Sequence, residues 1–376
     1  MFAMPELDAD DSRVLDEIED FRTRLRHQVA EPRRWEGQFR RSLVAGAIQG
    51  SNSIEGIVVS IEDAQALVEG EDMSAKVDDS TRLAVTGYGD ALTWVQQSAR
   101  MENFSYHEML LSTLHFMMLK HDLPKWPGRY RPGGISVVGR DPLNPVYVGP
   151  DADQVPDLMA ELVAWLNEED QDAPVLVRAA MAHLNLVSIH PWRDGNGRMS
   201  RCLHTLVLAR DKVLAPEFSS IEEWLGDEGN TFAYYQALRA TRSTWDPGAN
   251  THEWLRFCLQ AHHMQAQLVQ RRVERAARVW AEVATIAEQA GLDERVVSAL
   301  YNCAVGALRR TTYQRDENLT RDQSVRDIQA LKRLGLVESV GHGRSQHYRA
   351  AGVVRERAWA VVEDLRRTPL RDPYRG

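Results

Sequence analysis

Apolar side chains recur at helical spacing along nearly the whole chain, while strand-like runs are short and few, so the pattern predicts a mainly α protein. A first helical region runs to about residue 100, punctuated by Gly50, Gly56 and Gly70. Residues 127–150 are crowded with Gly and Pro but hold two β-branched runs, 135–138 and 146–148, which predict a hairpin flap. Asp172 and Pro174 then open a helix with Val175, Leu176, Ala179, Ala180, Leu184 and Val187 on one apolar stripe, and Pro191 ends it near His190. A second helix starts after Gly195 and Gly197, with Met199, Cys202, Leu203, Leu206 and Val207 facing inward. Residues 254–289 read as a long charged helix connecting to a separate small domain. There Thr320 caps a helix in which Val325, Ile328, Leu331 and Leu334 recur every three residues and Gly335 stops it, and two short strands flank residues 341–345.

At 376 residues the chain is long enough for two or three domains. The pattern divides it into 1–105 (N-terminal helices), 106–265 (a helical core with the flap), 266–289 (connector), 290–352 (the small domain) and 353–376 (a last helix and tail). Hydrophobic residues at 43% and charged residues at 26% are globular values and exclude a disordered or fibrous class. No stretch approaches the ~18 apolar residues of a membrane span, and the N-terminus is acidic where a signal peptide would be basic, so a soluble cytoplasmic protein with no membrane partner is expected. Cys202, Cys258 and Cys303 are too scattered for a disulfide framework or a zinc site and read as buried apolar residues. The net charge of −9 is uneven: residues 266–376 carry 20 Lys and Arg against 14 Asp and Glu, so only the C-terminal part invites an anionic partner.

Candidate chemistry concentrates in residues 188–201, SIHPWRDGNGRMSR, a polar loop between two helices. Gly195 and Gly197 let backbone N–H groups turn inward at a helix start, where the dipole also favours an anion. Arg198 and Arg201, three apart, share a helical face and offer planar forks for adjacent phosphates. Asp194 is a hard oxygen ligand suited to Mg²⁺ shared with substrate phosphates. His190 titrates near neutrality and is placed to take a proton from an incoming hydroxyl. One base, one metal ligand and several cationic donors suffice for phosphoryl-group transfer, in which a protein mainly positions groups and neutralises charge.

The run H-P-W-R-D-G-N-G-R-M-S-R resembles the Fic motif, H-x-F-x-(D/E)-G-N-G-R-x-x-R, with Trp192 in place of Phe. The resemblance extends over roughly residues 40–265 and implies a Fic-type helical core with a β-hairpin flap. It implies an AMP-transferase that uses ATP and Mg²⁺: His190 as base, Asp194 as magnesium ligand, Gly195, Asn196 and Gly197 as an anion cradle, Arg198 and Arg201 on the distal phosphates. Arginine at 198, where Doc-type relatives resemble G-N-K-R, points away from use of the nucleotide as a phosphate donor. In the flap, Ile135 either presses a target side chain into line or packs on the core. Tyr235, in YYQAL, either lies near adenine or fills the core, and Arg242 is a weaker match one turn further.

Residues 51–56, SNSIEG, resemble the family's inhibitory motif (S/T)-x-x-x-E-(G/N). Glu55 stands in the last turn of a helix stopped by Gly56, where a carboxylate faces the negative end of the dipole and needs a cationic partner. The resemblance names that partner as Arg201, so a Glu55–Arg201 pair would hold off the terminal phosphate, within one chain or between protomers of a homodimer. Residues 290–352 resemble a winged helix with 321–334 as recognition helix; Arg326, Gln329, Arg333 and Arg344 would meet DNA, or the module would contact protein. Three functions follow: an AMP-transferase acting on a Ser, Thr or Tyr of a target protein or of itself; a nucleotide-sensing DNA-binding regulator; or the same core with another donor or removing AMP.

Overall fold

The computed structural model describes residues 1–30, 33–98, 100–138, 145–168, 173–241, 243–341 and 346–375. The chain opens with α1 (Ala9–Gln28), α2 (Glu36–Ile54), α3 (Ile61–Val68), α4 (Asp79–Ser98) and α5 (Glu108–Leu119). An antiparallel hairpin of β1 (Ser136–Val138) and β2 (Pro145–Val148) follows, then α6 (Val155–Asn167), α7 (Val175–Ile189) and α8 (Asn196–Arg210). Single turns α9 (Pro216–Ser219) and α10 (Glu222–Leu225) lead to α11 (Glu228–Thr241) and the long α12 (His252–Gln289). The last part holds α13 (Val296–Val305), α14 (Arg310–Asp316), α15 (Arg321–Arg333), the hairpin β3 (Val337–Val340) with β4 (His347–Ala350), and α16 (Gly352–Arg366).

The mainly helical expectation holds, and the flap forms where its two β-branched runs lie. Helix α7 is more than a one-sided stripe: apart from half-buried Arg178, every residue from Leu176 to Ile189 is buried. A helix buried on all sides belongs at the centre of a core, and the polar His183, Asn185 and Ser188 are buried with it. Helix α8 lies against it, and α4, α6 and the first turns of α12 close around the pair. Trp254 on α12 is wholly buried there and donates its indole N–H to the Ala180 carbonyl at 2.8 Å, satisfying the polar handle that a buried Trp carries.

Three details depart from the sequence pattern. Gly50 does not punctuate a helix; it lies inside α2, where an added Cβ would come 2.2 Å from the Glu222 carbonyl, so its lack of a side chain lets α2 press against α10. Leu334 caps α15 rather than continuing its apolar stripe and is 51% exposed, because the helix has turned past the core by then. Thr320 does cap that helix, in a reciprocal box with Gln323. The C-terminal module, expected as a separate domain, shares a hydrophobic cluster with Trp35 at the N-cap of α2, Phe39 and Leu43 on that helix, Phe218 and the second half of α12. Ion pairs Arg41–Asp316 (2.6 Å) and Arg34–Glu317 (2.8 Å) fasten the same junction.

Candidate active site

Helix α7 ends at His190, whose backbone is left-handed (φ 51°, ψ 56°). Pro191 disfavours a right-handed conformation for the residue before it, so His190 is forced out of the helix and its side chain turns toward the loop. Its Nδ1 lies 3.1 Å from the Val187 carbonyl oxygen; donation from Nδ1–H fixes the tautomer and leaves Nε2 as the basic nitrogen. The ring opens onto a cavity of about 570 Å³, within the usual range for a small-molecule site. The walls are the start of α8, the flap, and the Tyr234–Arg239 face of α11.

Gly195, left-handed at φ 77°, forms the N-cap of α8, and the first-turn N–H groups that follow lack intrahelical acceptors. At Gly197 an added Cβ would stand 2.3 Å from the Glu55 Oε1, so the carboxylate of Glu55 sits directly on the anion-binding turn. The same Oε1 accepts a hydrogen bond from Arg201 Nη2 at 2.7 Å. Arg201 is only 1% exposed and also donates to the Ser51 hydroxyl (2.8 Å) and carbonyl (2.9 Å), both on α2. Burial pulls its pKa down, but the Glu55 carboxylate outweighs this and the guanidinium stays firmly charged. Arg198, 3% exposed, has Nε and Nη1 unpartnered, and burial lowers its pKa. Two desolvated guanidiniums thus sit behind one carboxylate, and together they carry more positive charge than Glu55 neutralises.

Asp194 also faces the cavity. Burial raises its pKa, but an ion pair with Lys125 and the Gly195 N–H, donating at 2.6 Å, bring it below the usual carboxylate range. Apart from Glu55, Asp194 is the carboxylate that lines this cavity among the described residues, and a hard, half-exposed oxygen donor fits Mg²⁺. Asn196 lines the cavity, and its side chain accepts from the Trp192 N–H (3.0 Å) and donates to the Trp192 carbonyl (2.9 Å), bracing the loop. Trp192 is fully buried and stacks on His115 at 4.3 Å, so the larger ring is absorbed beneath the loop.

Ile135 lines the cavity at the foot of β1, against Gly149. Tyr235 lines it too, and its hydroxyl donates to the Ile54 carbonyl at 3.2 Å, touching the helix end that carries Glu55. Tyr234 turns inward and is 1% exposed. Arg242, the flap tip at 139–144, Asp172 and Arg344 with 342–345 lie outside the described residues. Arg326, Gln329 and Arg333 are exposed on α15 and do not line this cavity.

Three residues that the sequence did not single out support the site. His115, wholly buried, accepts from the Gly128 N–H (2.8 Å) on Nδ1 and donates from Nε2 to the Asp194 carbonyl (2.9 Å). Lys125 neutralises Asp194. Arg131, 3% exposed, donates to the carbonyls of His190 (2.8 Å), Gly133 (2.7 Å) and Pro150 (2.6 Å), tying the end of α7 to both arms of the flap. A sequence signal for Arg131 existed in retrospect: it is an arginine among Gly and Pro with no acidic neighbour nearby.

Residues 105–208, from before α5 to the last turn of α8, match the Fic/DOC family. This stretch is similar to Fic/DOC domains. It contains His190, the loop and the flap, while Glu55 and Tyr235 lie outside it. The chain is 28% identical over 213 residues to protein adenylyltransferase fic-1 of Caenorhabditis briggsae, a match covering 55% of this chain and 39% of that protein. With protein adenylyltransferase Fic of Nematostella vectensis it shares 27% identity over 209 residues, 55% of this chain and 47% of that one. The chain thus spans less than half the length of these relatives. In fold, the chain is similar to a Fic family protein from Desulfovibrio desulfuricans G20, with TM-score 0.59 and 22% identity over 94% of this chain and 99% of that one.

Proposed function

We propose that the chain is a protein adenylyltransferase that transfers AMP from ATP to a hydroxyl of a protein, held inactive by Glu55. The observation that carries this is the Glu55 carboxylate lying on the α8 turn and on Arg201, a carboxylate occupying a site built for phosphate. Its removal leaves an anion cradle with two buried guanidiniums beside a histidine of fixed tautomer, a combination that serves nucleotidyl transfer. The relatives named as adenylyltransferases support the same reading.

In this reading ATP enters with its terminal phosphate in place of the Glu55 carboxylate, against Arg201 and Arg198. A target hydroxyl gives its proton to His190 Nε2 as its oxygen attacks the α-phosphorus; the bond from that phosphorus to the bridging oxygen breaks, and pyrophosphate leaves with the electron pair. Mg²⁺ held by Asp194 would supply neutralisation of phosphate charge during this step. Arg198, Arg201 and the first-turn N–H groups of α8 take the negative charge of the leaving pyrophosphate. The target segment adds along β1, whose edge away from β2 has no ladder partner among the described residues, with Ile135 beside the acceptor side chain. For α15 we infer contact with an anionic partner, on the exposure of Arg326, Gln329 and Arg333; binding to duplex DNA would weaken steeply with salt.

The test is mass spectrometry of the purified chain after incubation with ATP and Mg²⁺. Glu55→Gly is expected to carry an AMP adduct at least tenfold more abundant than wild type. Adding His190→Ala removes the adduct while ATP binding persists. Equal or lower modification in Glu55→Gly would remove Glu55 from the inhibitory role, and label from UTP or GTP alone would change the donor.

A further inference from the structure

A second cavity, of about 270 Å³, lies where α2, α3 and α10 meet the second half of α12 and the C-terminal module, with α13 closing it. Besides the neutral Gln65 amide, two polar side chains reach it without protein partners among the described residues. Arg275 on α12 forms no ion pair or hydrogen bond among the described residues, and its Nε is fully buried. Tyr301 on α13 is 2% exposed, and its hydroxyl has no hydrogen-bond partner among the described residues. The buried Nε of Arg275 and the Tyr301 hydroxyl are donors without a protein acceptor, and a ligand that supplies one would satisfy them. The other charges at the wall are already matched. Arg272 holds Glu223 in a bidentate pair at 2.6 and 2.7 Å, and Glu62 pairs with Arg349 at 3.2 Å. The local excess is therefore one positive charge, that of Arg275. The remaining wall mixes neutral polar side chains, Gln38, Ser42 and Gln65, with the apolar surface of Phe39, Ile61 and Val305.

We propose that this junction cavity binds a small oxyanion, a carboxylate or phosphate group received by the Arg275 guanidinium and the Tyr301 hydroxyl. The volume, just under the usual lower limit for ligand pockets, restricts the occupant to a small molecule. Its walls come from both halves of the chain, so an occupant favours their docked arrangement and stabilises the fold by mass action. The site is independent of the transfer reaction and of Glu55.

Isothermal titration calorimetry with inorganic phosphate and, separately, benzoate tests this on the full chain. Saturable binding of at least one probe is expected, weakened tenfold or more by Arg275→Gln and several-fold by Tyr301→Phe. Arg198→Gln, which unloads the α8 turn, should leave it unchanged, separating this cavity from the nucleotide site. Tighter binding of benzoate would show the apolar wall in use; phosphate alone would assign the site to the anionic group. Each probe should also raise Tm in wild type more than in Arg275→Gln, which removes any general salt effect from the comparison. No saturable binding of either probe, or binding that Arg275→Gln leaves intact while Arg198→Gln abolishes it, overturns the proposal.

Discussion

The loop at 190–197 stands on a stacked pair of rings. His115 is the lower ring, flat against Trp192 (interplanar angle 6°), and it spends both nitrogens on backbone groups, Gly128 below and Asp194 above. Burial pushes its pKa down to about 4. An imidazole with a folded pKa below its ordinary value of about 6.5 binds its proton more readily in the unfolded chain, so its neutral state supports the fold fully above that pH. As pH falls from about 6.5 towards 4 that support is lost, on the order of 3 kcal/mol. Gln at 115 offers an acceptor and a donor but does not titrate. His115→Gln is therefore expected to lose Tm less steeply than wild type over this window by calorimetry, and identical slopes would show that His115 does not set the acid sensitivity. His204, held near pKa 3 by its own burial, contributes equally to both proteins. This scale also marks the limit of what residues announce in sequence. Glu55, His190 and the loop arginines were legible because each belongs to a short local pattern whose chemistry is self-contained. His115 and Lys125 were not, and Arg131 showed only as an arginine among Gly and Pro, since what each does for the loop depends on contacts reaching 59 to 79 residues along the chain.

Two elements, α7 and the flap, are joined where their backbones run out of partners. The last carbonyls of a helix have no intrahelical donors, and the end of α7 satisfies them with side chains from the flap. Tyr147 donates to Ser188 at 2.5 Å and Arg131 to His190, the cation also complementing the negative end of the dipole. The positions of His190 and of the flap are thereby set by one guanidinium. Lysine keeps the charge but not the fork, and cannot reach three carbonyls at these angles. In a Glu55→Gly background, Arg131→Lys is expected to lower kcat for AMP transfer by tenfold or more, with KM for ATP unchanged, because the α8 cradle is untouched. An unaltered kcat, or a loss of ATP affinity instead, would show that Arg131 does not position His190. Helical periodicity made most of these elements legible, and Pro191 and Gly195 gave the loop its ends. It could not show that α7 is buried on every side, because a stripe is the most that spacing can register once polar residues such as His183 and Asn185 are themselves buried.

At the scale of the whole molecule, α2 and α12 each run through both hydrophobic clusters, and α2 carries Glu55 at its far end. Composition separated the C-terminal part by its positive charge, but both signs are paired across the junction: Arg309 meets Glu71 and Arg349 meets Glu62, while Asp316 and Glu317 meet Arg41 and Arg34. Charge along a sequence does not reveal which carboxylates will lie opposite. If the shared helices transmit packing, the chain melts as one unit and not as a core with an appended module. Phe39 is the place to test this: it is 5% exposed, stands edge-on to Trp35 at 5.7 Å and contacts Phe218 at 6.0 Å. Phe39→Ala removes about 3–5 kcal/mol of packing from the middle of the junction. Differential scanning calorimetry is expected to show a single transition in wild type and a single one in the variant, lowered by on the order of 5 °C. Two resolved transitions in the variant, with the upper one unmoved, would mean that the halves fold separately and that α2 reports nothing of the C-terminal module to the Glu55–Arg201 pair.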